Sequence, residues 1–238
     1  MMNFKLELLA LLVILAFVLF LYLVIRTNRI NAAEKIHQAL TMGFEELNVP
    51  PSQLTSRIEE LFKRHDQQAI YIDEVFSRQE TDRELFIFNI SDSNREDTQM
   101  QTEVFGMISS ELELPRFSLS TLPDFNNNSL LGGLMEALLD KVLSLAEKYQ
   151  GLSRIEFPDK PGFGDQVVVF GSDETAVKEM LRGIHLSNLT PDQSPIHVAG
   201  RDDFLTVDFS LPSSYDSNEN DLISQFQMFT EIAQIFMK

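Results

Sequence analysis

The sequence has no cysteine and no tryptophan, and it has few basic residues for its length. Without a thiol the chain has no disulfide, no cysteine metal site and no thiol nucleophile. Its 36 acidic residues against 19 basic ones give a formal net charge of -17. Because polyphosphate binding needs clustered lysine and arginine, this balance argues against nucleic acid as a partner. The 44% hydrophobic residues in 238 exclude a collagen-like or wholly disordered chain.

The longest hydrophobic run lies near the amino terminus, over residues 8–25, and reads LLALLVILAFVLFLYLVI. Its 18 residues include no charge, glycine or proline, and 15 of them are Leu, Ile, Val or Phe. As a helix rising ~1.5 Å per residue the run spans about 27 Å, close to the ~30 Å hydrocarbon core of a bilayer. The alternatives are a buried core helix and a cleaved signal peptide, whose apolar run is typically about 7–15 residues long. We therefore expect a retained transmembrane anchor over residues 1–26 that contacts the lipid bilayer through residues 8–25.

The residues that flank this run predict its interface and its orientation. Tyr22 is placed to lie among the headgroups, and Arg26 and Arg29 follow the run, whereas only Lys5 precedes it. This bias predicts a single-pass protein of the inner or plasma membrane with its soluble part in the cytoplasm. The first thirty residues carry a formal net charge of +2, which leaves a net charge of -19 for the remainder. Anionic lipid should therefore attract the basic flank and repel the acidic body.

The rest of the chain reads as three consecutive parts. Apolar residues spaced by three and four predict a juxtamembrane helix over 27–49, which Pro50-Pro51 ends. Residues 50–212 read as an acidic soluble α+β domain. Residues 213–238 read as a linker and a C-terminal amphipathic helix.

Within the acidic domain, hairpins outnumber crossovers, so the fold class is α+β: the transmembrane helix is followed by a largely antiparallel sheet with packed helices. Pro115 has no N–H for a strand ladder, and its strand is therefore expected at a sheet edge. The expected elements are a hairpin of strands 69–76 and 84–90, strands 102–108 and 112–119, a helix over 129–149, a strand over 166–170, a helix from Asp173 to Gly183, and a second hairpin of 196–199 with 204–211.

The C-terminal helix, expected over 221–237, has a wide apolar face and a polar face with few charges. Such a face fits either docking on the body of the same chain or capture by a partner protein. The partner-binding candidates on it are Leu222, Phe226, Phe229 and Phe236.

No catalytic, cofactor-binding or metal-binding residue is predicted, because no motif for such a site is present. The chain has neither a G-x-S-x-G nucleophile turn nor a glycine-rich phosphate loop. In two loops, which begin at Asp92 and Asp216, acidic and amide residues are spaced nearly as in a calcium-binding loop. Both loops lack the glycine that such a loop has at its sixth position. The histidines have no metal-ligand spacing; they are His37, His65, His185 and His197.

Several short motifs resemble a known group of proteins. They are Met42-Gly43-Phe44, ELFIF over 84–88, LPRFSL over 114–119, Phe157-Pro158 with Phe163, and GSDE over 171–174. Together they resemble a broad group of uncharacterised bacterial single-pass membrane proteins with a cytoplasmic α+β domain, over most of residues 1–190. The resemblance implies the membrane placement and the fold class. It brings no activity, cofactor or catalytic residue.

The leading interpretation is a membrane-tethered, non-enzymatic interaction or scaffold protein. The alternative is a small-ligand binder or hydrolase whose site is assembled from distant loops. Its candidate residues are Glu111, Arg116, Asp173, His185 and His197. Divalent-cation sensing through the Asp92 loop is a third, weaker interpretation.

Overall fold

The computed structural model describes residues 17, 19, 20, 26, 32–62, 70–92, 102–121, 151–158, 167–184, 189, 196–209 and 222–237. The chain divides into two compact units, Met1–Gly43 and Phe44–Lys238. In the first unit, residues 17, 19, 20 and 26 are helical and exposed, and residues 32–41 form helix α1. In the part of the chain that the structure describes, no helix is both long and apolar enough to cross a membrane. Most of the expected anchor, residues 8–25, lies outside that part.

Helix α1 ends earlier than the expected juxtamembrane helix over 27–49. Gly43 adopts a positive φ of 83°, a conformation that favours glycine and turns the chain out of the helix. The amide of Gly43 donates to the Leu40 carbonyl at 3.0 Å, which closes the last turn. The apolar spacing continues past this point because Phe44 and Leu47 pack into different parts of the core, Phe44 against Phe226 and Leu47 against the cluster that includes Leu54.

The second unit holds, in its described residues, nine strands and three helices. The strands are β1 Glu45–Leu47, β2 Ile70–Gln79, β3 Arg83–Asp92, β4 Thr102–Ser109, β5 Leu114–Thr121, β6 Ser153–Ile155, β7 Val167–Gly171, β8 His197–Asp202 and β9 Phe204–Asp208. The helices are α2 Ser52–Leu61, α3 Glu174–Leu181 and α4 Leu222–Phe236.

All nine strands form one sheet in the order β1-β2-β3-β4-β9-β8-β5-β7-β6. Every neighbouring pair is antiparallel, which confirms the α+β class with an antiparallel sheet. Both expected hairpins are present, as β2–β3 and β8–β9. Asp202 turns the second hairpin with a φ of 53°, a conformation that Asp tolerates better than most side chains.

The expectation that the Pro115 strand lies at a sheet edge is wrong. Strand β5 pairs with β8 on one side and with β7 on the other. Pairing with β8 is interrupted between Leu114 and Phe117, where the register shifts. Because Pro115 lies inside this irregularity, its missing N–H leaves no gap in the regular ladder.

One face of the sheet packs against α2 through aliphatic and aromatic side chains. Leu54, Ile58 and Leu61 of the helix are buried, and they share a core cluster with Phe86 and Phe204 of the sheet. Their spacing of three and four places all three on one side of the helix. This burial positions α2 across the middle of the sheet.

The opposite face packs against α3 and α4. Gly171 allows the close approach of α3, since a Cβ there would lie 2.7 Å from both Ile155 Cδ1 and Val177 Cγ2. Phe105 and Phe117, on two strands of this face, contact rings of α4. The helix expected over 129–149 and the linker before α4 lie outside the described residues.

Candidate functional site

The predicted partner-binding face of the C-terminal helix lies against the protein's own sheet. Leu222, Phe226, Phe229 and Phe236 are all buried. Phe229 stacks on Phe105 with ring centroids 5.7 Å apart, and Phe236 stacks on Phe117 at 5.5 Å. A partner can reach these four side chains only if α4 leaves the sheet. Partner capture by this face therefore stays a prediction that depends on undocking.

An arginine cluster in the β2–β3 hairpin contacts both ends of α4. The Arg78 guanidinium lies 5.0 Å from the Phe44 ring and 4.8 Å from the Phe226 ring, and those rings meet edge to face at 5.3 Å. Arg83 Nη1 lies 3.9 Å from Met237 Sδ, just beyond the last turn. Cation–π contacts are worth ~0.5–1 kcal/mol at exposed sites and about 2 when desolvated. Arg78 therefore contributes to the docking of α4.

The carboxylate of Glu80 joins the two arginines of this cluster. Arg78 Nη2 donates to Glu80 Oε1 at 2.6 Å, and Arg83 Nε donates to Glu80 Oε2. Burial alone would raise the pKa of Glu80, but hydrogen bonds and charge from Arg83 and Arg78 outweigh it and lower that pKa. The carboxylate is thus held in its charged form, as the pairing requires.

A half-buried histidine and a buried serine meet in the middle of the sheet. Ser120 Oγ lies 2.7 Å from His197 Nδ1, and Asp208 is the cross-strand neighbour of His197 on β9. Burial lowers the pKa of His197 to about 4, so the imidazole is neutral at pH 7. Its Nε2 has no hydrogen-bond partner in the described part of the protein. Ser120 is only 3% exposed, which leaves its hydroxyl out of reach of a substrate in solvent.

The other residues of the loop-assembled alternative have separate structural positions. Asp173 caps α3 by accepting from the Ala176 amide at 3.0 Å. Arg116 donates to the Leu61 carbonyl at the end of α2, at 3.0 Å from Nη2. Glu111 lies in an exposed turn, and His185 lies outside the described residues. Asp173 and Arg116 therefore have structural roles at helix ends.

A surface pocket of about 540 Å³ lies where α2 meets two strand turns, and sequence reasoning missed it. It is lined by Arg57, Leu112, Glu113, Leu114, Asp202 and Asp203. Arg57 Nη2 pairs with Asp203 Oδ2 at 2.8 Å across 146 residues of sequence, a contact that no local pattern could signal. The pocket walls are acidic on balance, with an aliphatic part from two leucines. None of the residues predicted for the loop-assembled site lines it.

Metal and membrane-interface predictions fall mainly on residues that the structure does not describe. Among the residues it does describe, no group of three or more His, Asp or Glu could hold a metal ion. Residues 93–101 of the first calcium-like loop and residues 216–221 of the second lie outside those residues, as do Tyr22 and Arg29. Arg26 is helical and exposed.

Comparison with known proteins gives no relative: no family model, curated protein or solved structure matches this chain. The resemblance to bacterial single-pass membrane proteins therefore stays a prediction. Any function must be argued from the residues themselves.

Proposed function

We propose that the chain is a single-pass, membrane-tethered protein whose acidic α+β body serves as a non-enzymatic interaction or scaffold module in the cytoplasm. The observation that carries this proposal is the uncharged run over residues 8–25. Its described members are helical, and Phe17, Leu19 and Phe20 are 60%, 58% and 61% exposed. Apolar surface exposed to water costs ~25 cal/mol per Å². Insertion into a bilayer removes that cost.

Charge supports the same arrangement. Arg26, directly after the run, is exposed, and the positive-inside tendency places such residues on the cytoplasmic side. The body beyond residue 30 carries a formal net charge of -19, so an anionic membrane surface repels it. We infer that the body is held near the bilayer by the anchor alone, which leaves its acidic surface accessible to partners.

The positions of the ionisable residues favour interaction over catalysis. Asp173 and Arg116, two residues of the hydrolase alternative, are engaged at helix ends. Ser120 has a histidine neighbour but is buried. A nucleophile must come within hydrogen-bond reach of its substrate, and this serine does not meet that condition.

Binding of a small ligand is the second candidate function. The observation that favours it is the pocket of about 540 Å³ beside the Arg57–Asp203 pair, a volume within the usual range for ligand sites. Burial raises the pKa of Glu84, but Glu84 does not line this pocket. Thermal-shift screening of the full chain tests the idea. A ligand whose stabilisation is lost in Glu113→Trp, which fills the pocket from an exposed position, would support it, and equal stabilisation of both forms would reject it.

Orientation is tested with single cysteines, since the chain has none of its own. Asn3→Cys probes the start of the chain, and Ser110→Cys probes an exposed turn of the body. In intact cells a membrane-impermeant maleimide should label the first variant and should label the second only after permeabilisation. The opposite pattern would reject a cytoplasmic body, and labelling of both would reject a single membrane crossing.

Capture of a partner by α4 is tested by deleting residues 219–238. The variant should lose any protein that co-purifies with the membrane-bound wild type. Because α4 covers Phe105 and Phe117, the deletion also lowers stability, so Phe105→Ala serves as the matched control that weakens docking but keeps the whole apolar face of the helix. If the deletion leaves both stability and co-purifying proteins unchanged, the helix has no partner role.

A further inference from the structure

The pocket beside the Arg57–Asp203 pair has walls that hydrogen bonds hold in place. It lies where α2 meets the turn between β4 and β5 and the turn between β8 and β9. The Ser109 amide donates to the Asp203 carbonyl at 2.9 Å, which ties the two turns together. Arg57 joins α2 to the second turn through its 2.8 Å pair with Asp203. The pocket is therefore formed before a ligand arrives, as small-molecule sites usually are.

Negative charge predominates in this pocket. The charged lining residues are Arg57, Glu113, Asp202 and Asp203, a formal balance of -2. Two neighbours leave that balance unchanged, because Glu60 lies 3.6 Å from Arg57 and the oppositely charged Arg201 lies 3.1 Å from Asp202. All the lining residues lie inside the continuously described segments 32–62, 102–121 and 196–209. The field in the pocket therefore favours a positively charged ligand over an anion.

Two polar atoms of the paired side chains have no hydrogen-bond partner within the part of the chain that the structure describes. They are Asp203 Oδ1 and Arg57 Nε, and both are buried. The second carboxylate oxygen, Asp203 Oδ2, already accepts from Arg57 Nη2 at 2.8 Å. Buried polar atoms without a partner are costly, and most of them are satisfied by another group. The two side chains are still 29% and 32% exposed, so a molecule in the pocket can contact them.

We propose that this pocket binds a small amino alcohol, whose ammonium donates to Asp203 Oδ1 and whose hydroxyl oxygen accepts from Arg57 Nε. The amino alcohol is a ligand class for the second candidate function, small-ligand binding, on which the proposal rests. An ammonium has three donors and no acceptor, so an amine without a hydroxyl leaves Arg57 Nε unsatisfied. A neutral polyol satisfies both atoms but lacks the charge that strengthens a hydrogen bond to a carboxylate.

Three molecules with the same three-carbon skeleton separate these requirements. Serinol has an amino group on its central carbon and a hydroxyl on each end carbon. Isopropylamine lacks the two hydroxyls, and glycerol has a hydroxyl in place of the amine. Serinol should bind at pH 7 with a Kd on the order of 1 mM, and the other two should bind at least about tenfold more weakly.

Fluorine NMR of the full chain in phosphatidylcholine nanodiscs measures this binding. A trifluoromethyl tag is attached to Ser110→Cys, an exposed position in the same turn as Leu112. Since the chain has no cysteine of its own, the tag reports from this turn alone. The chemical shift of the tag is followed as each of the three molecules is added.

Two variants that each remove one negative charge locate the binding. Asp203→Asn removes it from the pocket, and Glu231→Gln removes it from an exposed position on α4. Asp203→Asn should weaken serinol binding about tenfold, because the charge-assisted hydrogen bond is lost. Glu231→Gln should leave the Kd unchanged. Circular dichroism of both variants checks that they are folded.

The proposal is overturned if glycerol or isopropylamine binds as tightly as serinol, or if serinol does not bind. It is also overturned if Asp203→Asn keeps the wild-type Kd, or if both variants lose affinity equally, which would indicate attraction to the acidic body as a whole. Ligand binding by the pocket itself is tested separately by the Glu113→Trp comparison, and membrane tethering by cysteine labelling. Failure of the amino-alcohol class is therefore distinguishable from failure of either proposed function.

Discussion

The two faces of the sheet hold their helices by different means. Helix α2 buries aliphatic residues and is also tied down by polar contacts at its C-terminal end. Arg116 and Arg201, both from the sheet, donate to the carbonyls of Leu61 and Glu60. Helix α4 instead buries three phenylalanines and is contacted by an arginine between two rings.

This difference shows which interactions position each helix on the sheet. Hydrogen bonds are directional, so the contacts of α2 fix its register on the sheet. Burial of apolar rings is non-directional and scales with area. We therefore expect the α4 side to respond mainly to side-chain size. The α2 side should respond to pH through His197 and to salt through the Arg57–Asp203 pair.

The largest expected effect is on the α4 side. Phe229 is fully buried and stacks on Phe105, so Phe229→Ala should destabilise the protein by about 3–5 kcal/mol. Denaturant unfolding of the two proteins measures this difference. Gln227→Ala, on the exposed side of the same helix, should change stability by no more than about 0.5 kcal/mol. Similar effects of both substitutions would mean that α4 is not docked as described.

The next effect concerns pH and belongs to the α2 side of the sheet, because His197 is two residues from Ala199 on β8, which places both on the face that holds the α2 core cluster. The pKa of His197 is lowered from 6.5 to about 4 by burial, so the unfolded chain binds the proton more readily. The neutral imidazole makes its full contribution to the free energy of unfolding above pH 6.5, and this contribution is lost as the pH falls towards 4. The loss should reach about 3 kcal/mol.

The His197→Gln variant isolates this contribution. Its stability should fall less steeply than that of the wild type between pH 6.5 and 4, because glutamine does not titrate. Urea unfolding at several pH values in that window supplies the comparison. Parallel curves for the two proteins would show that His197 is not the titrating group.

A smaller effect is expected at the arginine of the α4 side. Arg78→Leu removes the contacts with the Phe44 and Phe226 rings and leaves Glu80 with one fewer donor. The expected cost is about 1–2 kcal/mol. Arg182→Leu, which breaks a pair whose side chains are 75% and 63% exposed, is the control and should be nearly neutral. If both variants are equally stable, Arg78 contributes nothing to docking.

The smallest effect is expected from the ion pair beside α2. Asp203→Asn weakens the 2.8 Å pair with Arg57, whose side chain is partly exposed. Such pairs are worth ~0.2–1 kcal/mol, and salt screens them. The stability difference from the wild type should therefore shrink between about 0.05 M and 1 M NaCl. A difference that is larger at high salt would contradict an electrostatic role.

Local patterns predicted much of the fold. The two hairpins and the apolar face of α4 were expected because alternation and helical spacing are visible within a few residues. The two wrong expectations came from local exceptions. At Pro115 a register shift accommodates the missing N–H, and at Gly43 a positive φ ends the helix.

The candidate site features were harder to predict, because they depend on contacts between distant residues. Ser120 and His197 meet across 77 residues, and Arg57 meets Asp203 across 146. The register shift between β2 and β3 lies at Glu74, whose positive φ could not be predicted from its residue type. His197 was a candidate from the sequence, but its burial and its serine partner follow only from strand order.

Membrane tethering is tested most directly by alkaline carbonate extraction of membranes that contain the full chain. We predict that the wild type stays in the membrane pellet, while a variant lacking residues 1–30 is released. Recovery of the intact wild-type chain in the carbonate supernatant would contradict the account.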